Sequence, residues 1–343
     1  MVTFLLSFFS KSHTMSGNET SAGPTSRIAT SNVFLFVLLL ITFVVGLVVN
    51  NLYLWVLHFR MSKTVNSTWF FHYIMANQVF TLALPFLAVQ MLFHPHWILG
   101  LAMCKLINTS ASVSMFGAVF VLTAISIDRY MLVFHPHWYR RHMKPRYATI
   151  ICIIFWGFAI LCSSPYLVFR QLKGNTTIQC YNNFNLSAKW ETSQSQLQWS
   201  LFTFRFLVGF LLPLSIMLFC YVRIAWRIKK EKLVNSTKPY KIILFATVSF
   251  FICWFPYHLW YGMNVEKDRF GNKLMGALRI FSFCCTSFNF CFTPIFYLFI
   301  VESFKKVFKK STLTLIESPC PHVYSSIHRA PTFLPVFSEF PSS

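Results

Sequence analysis

Apolar residues in this chain do not alternate with polar ones; they run in long blocks separated by short polar breaks. Seven such blocks occur, at approximately 32–58, 67–93, 101–134, 148–169, 198–226, 240–264 and 275–300. Each meets the roughly 20 residues that a helix needs to cross a bilayer. Inside hydrocarbon every backbone N–H and C=O must be paired, which leaves helices or closed barrels. The blocks lack a period of two and are far longer than a barrel strand. The pattern therefore predicts an all-α membrane protein, a seven-transmembrane helix bundle with a short amphipathic helix after span seven.

The polar breaks complete the layout. Residues 1–31 read as a polar outer tail, 32–300 as the membrane bundle and 317–343, rich in Ser and Pro, as a disordered cytoplasmic tail. Between the last two, residues 301–316 place Phe304, Val307, Phe308 and Leu313 on one face and lysines on the other, the pattern of a helix lying in the interface. Two connections are longer than the rest, 170–197 and a strongly basic 227–241. The opening MVTFLLSFFSKSH has a short apolar run with no basic stretch before it, a weak signal-peptide pattern, and Met15 offers a second candidate start.

Composition agrees with the block pattern. Hydrophobic residues make up 55% of the chain and charged residues only 11%, against roughly 25% charged in a soluble domain. The net charge of +21 would suggest nucleic acid in a soluble protein, but no nucleic-acid-reading motif is present. The basic residues instead gather on one side, in 60–63, 129–146, 223–241 and 305–310. The opposite side keeps eight, Lys11, Arg27, Arg170, Lys173, Lys189, Lys267, Arg269 and Lys273. Such a bias sets orientation and places the N-terminus outside and the C-terminus in the cytoplasm. The basic inner loops around Arg140, Arg141, Lys229, Lys230 and Lys232 have two readings, attraction to anionic membrane lipids and contact with a signalling partner. Sequons at Asn18, Asn175 and Asn185 fall on the outer side, whereas those at Asn66, Asn108 and Asn235 fall inside or within spans.

Of ten cysteines, only Cys104 and Cys180 are predicted to face an oxidising compartment, where a disulfide persists. Their link would fold the long outer loop over the mouth of the bundle; two unpaired thiols are the alternative. Asp128-Arg129-Tyr130 ends span three. Arg129 follows Cys104 by 25 residues, roughly 38 Å of helix, so one helix carries the outer cysteine and the inner arginine across the bilayer. An ionisable pair there can hold a helix in one arrangement and release it in another. A lone D-R-Y triplet would carry little weight, since it also serves as interfacial anchoring.

With these residues in order, the chain resembles the class A, rhodopsin-like G-protein-coupled receptors. The matching residues are Asn50, Cys104, Asp128-Arg129-Tyr130, Trp156, Pro213, Tyr221, Cys253-Trp254-Phe255-Pro256 and Thr293-Pro294-Ile295-Phe296-Tyr297. The HPHW motif with its basic loop at 135–146, SPYLVFR at 164–170, RFLVGFLLP at 205–213 and CWFPYH at 253–258 are similar to the chemoattractant-receptor group. The resemblance implies an extracellular agonist, a chemoattractant-type peptide or an acidic lipid, bound among the outer halves of spans three, five, six and seven. It also implies an outward swing of span six and a heterotrimeric G protein of the inhibitory class, with arrestin as a further partner. Pro256 removes a backbone hydrogen bond and favours a kink. Trp254 is placed to couple pocket packing to that bend, although simple core filling is its plainer reading.

Two positions depart from the family pattern. Asn77 stands where the family carries the Asp that helps to hold a sodium ion, and Asn brings no charge to neutralise a cation. Ala118 replaces a Ser that would help. Sodium binding is expected to be weak or absent, and no other metal or cofactor is implied. Thr293 stands for Asn in the span-seven motif. Both changes bear on the activation balance, through constitutive signalling or poor coupling.

Arg205 is the sharpest candidate for ligand contact. It lies eight residues before Pro213, roughly 12 Å along the helix, and an arginine at that depth needs a partner. The spans contain no acid except Asp128, so the partner is expected to be a ligand carboxylate held bidentately. The alternative is snorkelling of Arg205 to the outer interface. Arg279 and Lys105 would join one cationic basin, Tyr257 and His258 would bond the same ligand, and Ser112, Met115 and Phe116 would line the opposite wall. His258 is more often a satisfied core histidine than a switch.

Other function classes fare poorly. A transporter would show internal repeats and interrupted helices. An intramembrane hydrolase would need a serine with its base or an H-E-x-x-H motif. A non-signalling decoy on the same fold is the nearer alternative to a receptor.

Overall fold

In the computed structural model, residues 30–184, 194–230 and 238–300 are described. The side chains of 194–195, 238–242, 267–268 and 291–300 fall outside that description. The amphipathic helix expected at 301–316, both tails and the sequons at Asn18 and Asn185 also lie outside the described residues. The chain divides into two units, Met1–Ile295 and Phe296–Ser343. Of the second, only helical backbone through Ile300 is described.

Six stretches among the described residues are long and apolar enough to cross a membrane: Thr30–Arg60, Val65–Phe93, Gly100–Phe134, Pro145–Phe169, Gln196–Lys230 and Ile243–Glu266. A seventh long helix covers Asn272–Ile300; its 29 residues span about 43 Å at 1.5 Å per residue. These are spans one to seven. Span one shows why both sides of a helix are apolar here. Leu35, Leu39, Gly46 and Asn50 are buried against the bundle. Val33, Val37, Ile41, Val44 and Val48 form the opposite face and are exposed. A helix apolar all round belongs in a membrane or a large core, and an exposed valine row fits lipid.

Span three is the most enclosed of the six, with Met115, Phe116, Leu122 and Ile125 fully buried. It is the axis on which the other elements are positioned. Trp156 of span four donates to His72 of span two at 3.3 Å, behind span three.

Three segments depart from the layout read from the sequence. Span four, expected as one block to residue 169, ends at Ser163, and Ser164 leads into a short helix, Pro165–Phe169. The basic stretch after span three contains a helix, Pro136–His142, rather than a plain loop. Within the long connection 170–197, β1 (Arg170–Lys173) and β2 (Gln179–Asn182) pair antiparallel, with Leu172 opposite Cys180. Alternation is too brief over four residues to be legible beforehand.

The hairpin is fixed to the bundle in three ways. Cys104 and Cys180 form a disulfide. The backbone N–H of Trp97 donates to the Ile178 carbonyl at 2.7 Å, and that of Ile178 to His96 Nδ1 at 3.0 Å. Leu172, Ile178 and Cys180 pack on a buried apolar cluster of Ala83, Trp97, Cys104 and Ile107. Asn175, the outer-side sequon among the described residues, is exposed in the hairpin turn.

Candidate functional site

Span five positions Arg205. The helix Gln194–Phe206 passes into a π turn, Leu207–Leu211, and resumes as Leu212–Lys230. Gly209 sits in that turn, where an added Cβ would meet Met115 Cε at 2.9 Å and Phe116 Cε1 at 3.0 Å. The missing side chain lets span five lie directly on span three. Just above the turn, Arg205 points into the bundle and is only 5% exposed. Snorkelling is thereby excluded, because the side chain is held by contacts inside.

Those contacts are specific. Arg205 Nη1 donates to Ser112 Oγ at 2.8 Å and to the Tyr166 hydroxyl at 2.9 Å, and Nη2 reaches Met115 Sδ at 3.4 Å. The rings of Phe116, Tyr166, Tyr257 and Tyr261 surround the guanidinium, with centroids 5.3–5.8 Å from Cζ. Aromatic faces attract a cation but do not neutralise it. Among the described residues no carboxylate reaches Arg205. Of the five guanidinium N–H bonds, Nε–H has no protein partner. Only one contact is made by Nη2. Nε and Nη2 share one edge of the planar group, the spacing that matches two carboxylate oxygens.

The structure thus brings Arg205 together with Ser112, Met115, Phe116 and Tyr257. His258 is buried and packs edge-on to Phe206 and Tyr257 and at a tilt against Phe210, with no hydrogen-bond partner on either ring nitrogen. Lys105 and Arg279 are half-buried, and no contact joins either to Arg205. Arg279 instead acts on His94, which burial first and then this positive charge hold below the ordinary histidine range. Tyr166 and Tyr261 were missed. Tyr261 carried a signal, four residues after Tyr257 on the same helix face. Tyr166 carried none, because its direction depends on the break at Ser164.

From this site a line of rings runs inward. Tyr257, under Arg205, meets Trp254 edge-on at 5.5 Å. Trp254 meets Phe290 of span seven edge-on at 5.9 Å, and Phe290 stacks on Phe80 of span two at 4.1 Å. Pro256 lies inside a helix that stays continuous over Lys238–Met263. Asn77 is fully buried below, and neither polar atom of its side chain meets a protein partner. Its carbonyl accepts from Thr81, whose hydroxyl accepts from Asn50.

The far end of span three holds a second buried arginine. Arg129 Nη2 lies 3.4 Å from Asp128 Oδ2, longer than a tight charge-assisted bond. Asp128 Oδ1 accepts from Trp69 Nε1 at 3.1 Å and from the Tyr139 hydroxyl at 2.7 Å. Tyr139 comes from the helix that the sequence did not show. Burial and the Asp128 charge push its phenol well above the ordinary tyrosine range, so it remains a donor. Tyr130 stacks on Phe134. Tyr221 accepts from Ser126 of span three at 2.9 Å and lies 3.2 Å from Thr247 of span six, which ties three spans together. Thr293, Pro294 and Tyr297 lie on the span-seven helix, but their side chains are outside the described residues.

Comparison with known proteins adds the decisive observation. Residues 49–297 match the family model of the seven-transmembrane receptors of the rhodopsin family. The chain belongs to that family. It is 44% identical over 289 residues to the probable G-protein coupled receptor 33 of Homo sapiens, covering 82% of this chain and 86% of that protein. The same receptor of Mus musculus is 43% identical over 290 residues, with 82% and 84% covered. Chemerin-like receptor 1 of Rattus norvegicus is 33% identical over 325 residues, with 90% and 87% covered. This receptor is accordingly a multipass membrane protein and not an enzyme, and its family implies an extracellular ligand and a G protein.

Proposed function

We propose that this receptor responds to an agonist bearing a carboxylate, a chemoattractant-type peptide or an acidic lipid, which completes the coordination of Arg205. One observation carries the reading: Arg205 is buried with its Nε–H unpartnered and, among the described residues, no acid within reach. Burying an unpaired charge costs several kcal/mol, and a bound carboxylate offsets that cost. In this reading the hairpin end and the N-terminus face outside, consistent with the basic inner loops and with the exposed Asn175. Ligand contact with Tyr257 shifts Trp254, which stands between Tyr257 and Phe290, and thereby biases span six at Pro256. At the inner end, separation of Asp128 from Arg129 opens the cavity to a heterotrimeric G protein, of the inhibitory class by resemblance.

A panel of acidic peptides and lipid acids, tested on wild type and Arg205→Ala at equal surface expression, decides the matter. Loss of a G-protein response in the variant supports the reading. An unchanged response to every acidic ligand removes it. Ligand binding without any G-protein dissociation would make the protein a decoy.

A further inference from the structure

We propose that Arg205 is reached sideways, through a gap between spans four and five, and that the site takes a single-chain lipid carboxylate from the surrounding bilayer. This rests on the reading of Arg205 as an anion site and adds the class of ligand and its direction of entry.

A narrow cleft with a cavity volume of about 30 Å³ leads to Arg205. Its two walls are Cys162 near the end of span four with Pro165 of the short helix after it, and Leu201 and Phe204 on span five. Phe169 and Phe184, beside the hairpin, close a third side, and Tyr166 and Tyr261 lie with Arg205 within. The mouth lies among lipid-facing residues. Phe204 is 45% exposed, and the adjoining surface of spans four and five shows Phe158, Leu161 and Leu207, all exposed and apolar. A water-soluble ligand does not approach through such a surface. A lipid already in the bilayer does.

On the aqueous side the disulfide and the His96 and Trp97 bonds fix the hairpin to span three and to the loop after span two. Chemistry inside the cleft matches one kind of head group. The edge of Arg205 that carries Nε and Nη2 matches two oxygens of one planar acid, to which it would donate. The remaining walls are mainly apolar. The volume admits about two water-sized groups, the two oxygens of one carboxylate, and the chain that carries them stays in lipid.

The test uses the full-length receptor in phosphatidylcholine nanodiscs with a diazirine-bearing palmitate probe. Labelling is expected in the segments 162–169 and 201–205, with competition by palmitate and none by palmityl alcohol. Leu201→Trp or Cys162→Trp, which narrow the mouth from either side, should each lower labelling at least tenfold at equal expression, as should Arg205→Gln. Arg205→Lys should retain part of it. Equal competition by the alcohol would mean contact with annular lipid only and would overturn the proposal. Stronger competition by lysophosphatidate would overturn the choice of a carboxylate. If Arg205→Gln abolishes the response to a soluble acidic peptide, while palmitate never labels the cleft, entry from the bilayer is wrong and the anion site stands. Labelling blocked by Leu201→Trp but indifferent to Arg205→Gln would remove both.

Discussion

Arg129 and Arg205 are buried almost equally, 2% and 5% exposed, yet their surroundings share little. Arg129 has its acid next to it in sequence, and that acid is held by Trp69 and Tyr139. Arg205 is surrounded by rings, a serine hydroxyl and a thioether, none of which carries a negative charge. Removing one partner of a buried ion pair costs about 3–5 kcal/mol. By that measure the inner arginine has an internal counter-ion, and the outer one has none among the described residues. The first arrangement suits a restraint, the second a sensor.

The largest way to break this contrast is to supply the missing acid. Ser112→Asp places a carboxylate where Oγ now accepts from Nη1, and it should lower the potency of an acidic agonist at least 30-fold, about 2 kcal/mol or more. Unchanged potency in a dose–response assay would show that Arg205 is not the docking point. Next, Asp128→Asn should strip Arg129 of its counter-ion. We expect a lower melting temperature in detergent and several-fold higher agonist-independent G-protein activation; a variant silent in both assays would deny the pair its restraining role.

How much of this contrast was legible beforehand differs between the two ends. Asp128-Arg129 is a local pair, adjacent in sequence, and the block pattern fixed its place on span three. Arg205 was recognisable as an unpaired charge and expected to face the pocket, but helix periodicity alone left snorkelling open, because a π turn intervenes before Pro213. Tyr139 and Tyr166 act from short helices after chain breaks, where a few residues carry no readable period. The hairpin was hidden for the same reason. The seven spans, by contrast, are long enough for composition alone to identify them.

Smaller changes sharpen the comparison. Gly209→Val pushes a side chain onto Met115 and Phe116, within 3.0 Å of both. Overpacking of this kind costs about 2 kcal/mol, and a thermal-shift assay should show it together with weaker agonist binding. Tyr139→Phe removes one donor to Asp128 and should cost about 1 kcal/mol. Its pH dependence has a defined sign. The folded phenol is raised above the unfolded value of about 10, so its contribution is present in full below that pH and lost as pH rises through the folded value. The stability gap between wild type and variant should stay constant from about pH 6 to 9 and shrink only in stronger alkali; a gap that changes near neutrality would contradict this.

The wide turn at Leu207–Leu211 holds one residue more than a regular helix would. Were it to relax into ordinary α geometry, everything upstream would rotate by about 100°. Arg205 would then leave its tyrosines and face the lipid, and one of its phenylalanine neighbours would take its place. Which way the cationic group looks is therefore decided not by its own position but by a register choice several residues further down the same rod.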